Sequence, residues 1–264
     1  MLRSRIFAVA LLLGVSGSSL AVVRGEEVSY RNGDVVMKGY IAWDDAVPGR
    51  RPGVLVVHEW WGHDDYARKR ARMLAALGYT ALAVDMYGNG RKADHPKDAG
   101  QFSGEVRQNL PMMTARFNAA KKLLSIHPTV DARRLAAIGY CFGGSVVLEM
   151  ARQGSELSAV VSFHGNLSTQ NPAKAGEVRA KVLVLNSSAD PFIKPESVQA
   201  FVQEMRTAKA DFRVVNYPGA MHSFTNPDAT AYGKKFGIPL AYHAKADRQS
   251  WEEMKDFLAA VFRE

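Results

Sequence analysis

A single cysteine, Cys141, occurs in the whole chain of 264 residues, which excludes an internal disulfide framework. The fold must therefore rest on its core. A domain of this length buries roughly three quarters of the surface its unfolded chain exposes, so it requires neither disulfides nor a structural metal. Neither sign of charge forms a block: 34 basic and 26 acidic residues are interspersed and leave a formal charge of +8. Such a balance favours acidic partners in general, and no nucleic-acid partner is expected from it. No internal repeat, low-complexity tract or linker divides the chain, which makes one domain the economical reading. A long apolar run is missing too. The stretch over residues 6–15 is about ten residues, too short for a hydrocarbon core of ~30 Å.

What stands at the N-terminus is a leader pattern. Arg3 and Arg5 precede that apolar stretch, and small residues ending in Ser19, Leu20 and Ala21 follow it. Residues 1–21 are accordingly expected to be a signal peptide, and the protein to be exported, periplasmic or secreted, without stable membrane insertion after cleavage. An exported protein with one unpaired thiol exposes that thiol to oxidation unless something preserves it.

From Glu26 onward, strand and helix patterns alternate. Residues 28–30 and 35–43 read as an opening pair of strands joined by the turn dipeptide Asn32-Gly33. Short, wholly apolar runs at 54–57, 81–84, 135–138, 160–163 and 182–185 read as strands covered on both faces, as a parallel sheet requires. Amphipathic stretches at 66–77, 111–126, 145–152, 196–208 and 247–262 read as the helices between and after them. The glycine-rich, charged region 88–104 reads as a long surface loop. The fold class is α/β: a doubly wound, mostly parallel sheet with helices on both faces and an antiparallel hairpin at the N-terminal edge.

Ligands in such sheets bind beyond the carboxyl ends of the strands, so the residues after each apolar run carry the chemistry. The run 135–138 leads into Gly139, Tyr140, Cys141, Phe142, Gly143 and Gly144, with a helix pattern immediately behind. This is the turn of a nucleophile elbow, with cysteine in the place usually held by serine. Glycines two before and two after the nucleophile let strand and helix approach closely. The helix N-terminus and the Phe142 N–H then face the reacting centre. Asp190 follows the run 182–185, and His222 follows the stretch 212–217, which reads as a strand. Nucleophile, acid, histidine is the chain order of the α/β hydrolases. His127 stands at a helix end, and His95, His164 and His243 have no matching partner pattern.

The loop His58, Glu59, Trp60, Trp61, Gly62, His63 follows the run 54–57. Its histidines are five apart at a strand end, which does not meet the zinc spacing of four on a helix, and no metal or other cofactor is expected. The better reading is that the Trp60 N–H supplies a second oxyanion donor, while Glu59 projects into the site as an accessory carboxyl. Buried there, Glu59 would hold its proton more tightly than in water.

Together, Gly139-Tyr140-Cys141-Phe142-Gly143-Gly144, Asp190 and Met221-His222-Ser223-Phe224 resemble the dienelactone hydrolase family, cysteine-nucleophile members of the α/β hydrolase fold. The resemblance implies that residues 22–264 form a single α/β hydrolase domain. It implies Cys141 as nucleophile, His222 as base, Asp190 as its orienter, and Phe142 and Trp60 as oxyanion donors. The family's equivalent of Glu59 holds the resting cysteine inactive until substrate displaces it. The expected partners are then water and a small-molecule ester or lactone. Where the family grips a carboxylate with two arginines, this chain has Asn89 and Asn226, and neither can form a bidentate charged pair. Arg91, in the same loop as Asn89, is the candidate substitute. Trp61, Tyr87 and Phe224 are expected beside Trp60 on an aromatic pocket wall. Two other functions remain compatible with these residues: a non-catalytic relative that binds a small metabolite, and a thiol redox or sensor protein, against which the missing second cysteine argues.

Overall fold

Residues one apart in a strand face opposite sides of its sheet, and the central strands of this protein are buried on both. The computed structural model describes residues 22–263, and the leader expected over residues 1–21 lies outside them. Eight strands form one sheet: β1 (Val23–Asn32), β2 (Val35–Asp44), β3 (Arg51–Val57), β4 (Thr80–Val84), β5 (Val130–Tyr140), β6 (Ala159–Phe163), β7 (Lys181–Ser187) and β8 (Phe212–Tyr217). Their order across the sheet is β1-β2-β4-β3-β5-β6-β7-β8. β3 to β8 run parallel, and β2 pairs antiparallel with both β1 and β4, so the hairpin closes one edge.

Helices α1 (Asp65–Ala76), α2 (Pro96–Arg107), α3 (Leu110–Ser125), α4 (Phe142–Arg152), α5 (Pro195–Thr207), α6 (Ala229–Phe236) and α7 (Ala244–Val261) complete the described residues. The alternation sorts the core into two layers. Leu55 and Val57 of β3 pack with Phe117 of α3, Val146 of α4 and Phe201 of α5. Val54 and Val56 pack on the other side, with Leu74 of α1 and Met254 and Leu258 of α7. Each such buried aliphatic side chain contributes roughly 1.5–3 kcal/mol, which is how the sheet holds without a covalent staple.

The chain leaves β3 toward β4 and later returns on the other side of β3 as β5, so the strand order reverses between β3 and β5. The carboxyl ends of these two strands therefore part, leaving a crevice where their loops meet.

Two local expectations need correction, and one helix lies beyond them. The hairpin turn is Gly33-Asp34, because Asn32 still pairs with Val35 and the left-handed φ of +58° falls on Gly33. Region 88–104 is a loop only in its first half. His95 caps α2 by accepting from the Lys97 N–H, Pro96 occupies the first turn, and Ala99, Ser103 and Val106 turn inward at helical spacing. Its glycines, Gly100 and Gly104, stand in open space and do not break it. Finally, α6 has only eight residues and ends at Gly237, where φ is +64°, too short a stretch to announce itself by period.

Candidate active site

Cys141 sits between the last residue of β5 and the first of α4, at φ +52° and ψ −112°. No ordinary side chain prefers that backbone, and it survives because the surroundings leave no alternative. A methyl group on Gly139 would strike the Gly143 carbonyl, and one on Gly143 would strike the Val57 carbonyl. The two glycines are therefore what let α4 start hard against β3 and β5. The Gly143 N–H also donates to the His58 carbonyl at 3.1 Å, tying the elbow to the loop after β3.

Loops after β7 and β8 bring two further groups to the sulfur. His222 Nε2 lies 2.9 Å from Cys141 Sγ, and His222 Nδ1 lies 2.6 Å from Asp190 Oδ2. A carboxylate can only accept, so Nδ1 carries the proton and Nε2 faces sulfur. Asp190 is itself fixed: Ser187 Oγ donates to Oδ2 and the Phe192 N–H to Oδ1, each at 2.8 Å. Burial alone would push the His222 imidazole down, but Cys141 and the Asp190 carboxylate together hold it well above its ordinary range. Phe192, 53% exposed, stands edge-on to His222 at the mouth.

Glu59 is buried against the loop that carries His222. Its Oε2 accepts from Asn226 Nδ2 at 2.6 Å, while Oε1 has no hydrogen-bond partner among the described residues. Burial raises its carboxyl to about 7, and the Asn226 amide takes back part of that shift. An acid that titrates near 7 when folded and near 4.5 when unfolded binds more protons in the folded state. Stability is therefore lost as pH climbs through that window, by about 3 kcal/mol. Glu59→Gln should shrink the difference in unfolding free energy between pH 5 and pH 8 by about this amount relative to wild type. Denaturant titrations of both proteins at the two pH values measure it, and an unchanged pH dependence would contradict the assignment.

A cavity of about 300 Å³ opens over the sulfur. Trp60, Phe142, Phe192, Ile238 and Leu240 supply its apolar wall, and Ser103, Arg107, Ser145 and Asn166 its polar one. The N–H groups of Trp60 and Phe142 donate to no acceptor among the described residues.

Six residues expected on this wall are elsewhere. Trp61 is buried against Tyr232 and Phe236, and Phe224 against His164 and Tyr217. Tyr87 lies behind the wall, donating from its hydroxyl to the Trp60 carbonyl at 2.9 Å. Asn89 is exposed, with its main-chain N–H turned to Val36. Arg91 is engaged by the Tyr87 carbonyl and by Glu105, and Asn226 by Glu59. The residues missed in their place come from α2, the start of α4, and the loops after β6, β7 and α6. Asn166, three residues past β6, and Phe192, five past β7, are the ones that the strand-end rule would have found.

Comparison with known proteins agrees with this architecture. Residues 37–262 match the model of the dienelactone hydrolase family. A Salmonella typhi protein provisionally named carboxymethylenebutenolidase is 30% identical over 239 residues, covering 84% of this chain and 82% of its own. Among solved structures, one named m3DLH superposes with a TM-score of 0.85 at 38% identity, over 90% of this chain and 98% of that one. A dienelactone hydrolase-like promiscuous phosphotriesterase from metagenomic libraries superposes with a TM-score of 0.84 at 37% identity, with the same coverages.

Proposed function

Because this chain belongs to the dienelactone hydrolase family, a hydrolase of ester or lactone type, we propose that it cleaves a small ester or lactone through a thioester on Cys141. The observation that carries the reading is the continuous contact from Sγ through the His222 ring to Asp190, at 2.9 and 2.6 Å, beneath an open cavity. His222 Nε2 holds the proton drawn from the thiol, and the sulfur so freed attacks the carbonyl carbon. The tetrahedral oxyanion is met by the N–H groups of Phe142 and Trp60. The alkoxide then leaves with the proton from His222, and the acyl group stays on sulfur. A water molecule deprotonated by the same imidazole releases the acid and restores the thiol. Each oxyanion donor is worth about 3–4 kcal/mol at the transition state.

The test is the intact mass of the protein after brief exposure to a panel of short aryl esters and lactones. An added acyl mass, mapped to Cys141 and lost again on standing, supports the reading. Turnover with no adduct under rapid acid quench, for every substrate that is turned over, counts against it.

The cavity wall also bears on substrate charge. Apart from His222, Arg107 is the charged side chain on it, and its hydrogen bond is a long one of 3.4 Å to Ser103 Oγ. A substrate carboxylate would find a charged donor there, on a helix rather than on either of the family's two positions. Arg107→Ala should lower kcat/KM for a carboxylate-bearing ester about tenfold, with a neutral ester of the same size changed less than about twofold. Equal losses for both esters would refute this role.

A further inference from the structure

The main-chain N–H of Cys141 is held from behind by a buried histidine. It lies 3.0 Å from the Phe163 carbonyl oxygen and 3.1 Å from Nδ1 of His164. A main-chain N–H can only donate, so Nδ1 must be bare and Nε2 must carry the ring proton. That proton faces the Thr225 hydroxyl oxygen, 2.8 Å from Nε2. Thr225 is fixed in turn, since Tyr66 donates to its hydroxyl oxygen at 2.7 Å and Arg70 to its carbonyl at 2.8 Å. Arg70 also donates to the Tyr66 hydroxyl at 3.1 Å and pairs with Asp247 at 2.5 Å. His164 and Thr225 are wholly buried, and Tyr66 and Arg70 nearly so.

Both residues at the start of this chain of contacts hold unusual backbones, Cys141 at φ +52° and His164 at φ +40°. Conformations of that kind cost energy and persist where the surroundings over-determine them. Thr225 stands three residues beyond His222 on the same loop. One imidazole thus spans the elbow that carries the sulfur and the loop that carries the base, by a path separate from the Sγ–Nε2 contact. Burial, and then the neighbouring His222, hold the His164 ring well below its ordinary range, which keeps Nδ1 available as an acceptor.

We propose that His164 is a positioning residue for the reaction: by accepting from the Cys141 N–H and donating to Thr225, it sets the distance between the sulfur and the His222 ring. The inference rests on the Cys141–His222 reading above and adds a part that neither the strand-end positions nor the elbow pattern require. His164 does not line the substrate cavity, and it meets the base only through an edge-to-face ring contact with His222 at 5.4 Å between centroids, so its loss should lower kcat and leave KM alone.

The test uses His164→Leu, Thr225→Val and the double variant, with a neutral aryl ester and with kcat expressed per active site counted by burst titration. Counting sites removes the contribution of misfolded protein, which a merely structural role would produce. His164→Leu should lower kcat ten- to a hundredfold with KM within twofold. The double variant should be at most about twofold worse than His164→Leu, because both changes cut the same link. A folded His164→Leu protein with kcat within twofold of wild type overturns the proposal, as do losses that multiply in the double variant. If His164→Leu does not fold, Thr225→Val decides alone, and wild-type kcat there overturns it. The parent reading is tested separately: activity surviving in Cys141→Ala would sink both, whereas an inert Cys141→Ala beside a fully active His164→Leu would sink this inference only.

Discussion

Cys141→Ala is expected to lower kcat for a short aryl ester about ten-thousandfold or more, with the melting temperature changed by no more than about 4 °C. The substitution removes one sulfur atom from a half-buried position and leaves the Cβ, so the backbone at φ +52° is strained to the same degree in both proteins. What disappears is the atom proposed to form the thioester. The proposed oxyanion donors and the cavity remain, and they alone should retain only a small residue of the rate. Steady-state kinetics beside a thermal melt check the pair of expectations, and comparable turnover in the two proteins would mean that the sulfur is not the nucleophile.

Gly143→Ala should also be severely impaired, though less than Cys141→Ala, without the loss of any reacting group. The added methyl would run into the Val57 carbonyl and lie 2.7 Å from the His58 carbonyl, both backbone groups that cannot swing aside. The start of α4 must then retreat from β3. That motion breaks the Gly143 N–H bond to the His58 carbonyl and carries the Phe142 N–H out of line. Overpacking of this kind costs about 3 kcal/mol, or roughly 10 °C in a domain of this size. The loss of one aligned donor costs about 100- to 1000-fold in kcat. A folded Gly143→Ala protein with near-normal kcat would show that α4 need not approach β3 so closely.

The parts of the fold that were legible in the sequence are those where one residue type answers to one constraint. Val54 to Val57 are apolar without alternation because helices cover both faces of β3, and the same holds for β6 and β7. Gly139 and Gly143 betray the elbow because any side chain there would collide. Asp190 and His222 stand out because they lie in the loops three and five residues beyond β7 and β8, on the side where a crevice forms. Helix α2 is obscured because Gly100 and Gly104 look like loop composition, although each is half-buried on the helix with open space where a Cβ would stand.

The pocket wall was far less legible, for a different reason. Arg107 reaches it from a helix end, Ile238 and Leu240 from a loop after α6, and only the packed structure decides which side chains face the sulfur. Asn226 was assigned to substrate on its place in the chain, but its amide is already engaged by Glu59, a residue 167 positions away. His164 illustrates the same limit. It immediately follows β6, where the strand-end rule directs attention, yet its partners Cys141 and Thr225 lie 23 and 61 positions away. A search for paired patterns along the chain passes over such a residue.

That the 264 residues contain just one sulfhydryl, half-open to solvent in the crevice, gives the molecule a built-in counter. Any reagent that consumes thiols stoichiometrically in the intact protein reports the number of competent centres directly, with no background from other positions. Protection of that group by a bound compound becomes an occupancy measurement, so binders can be ranked before any reaction for them is known.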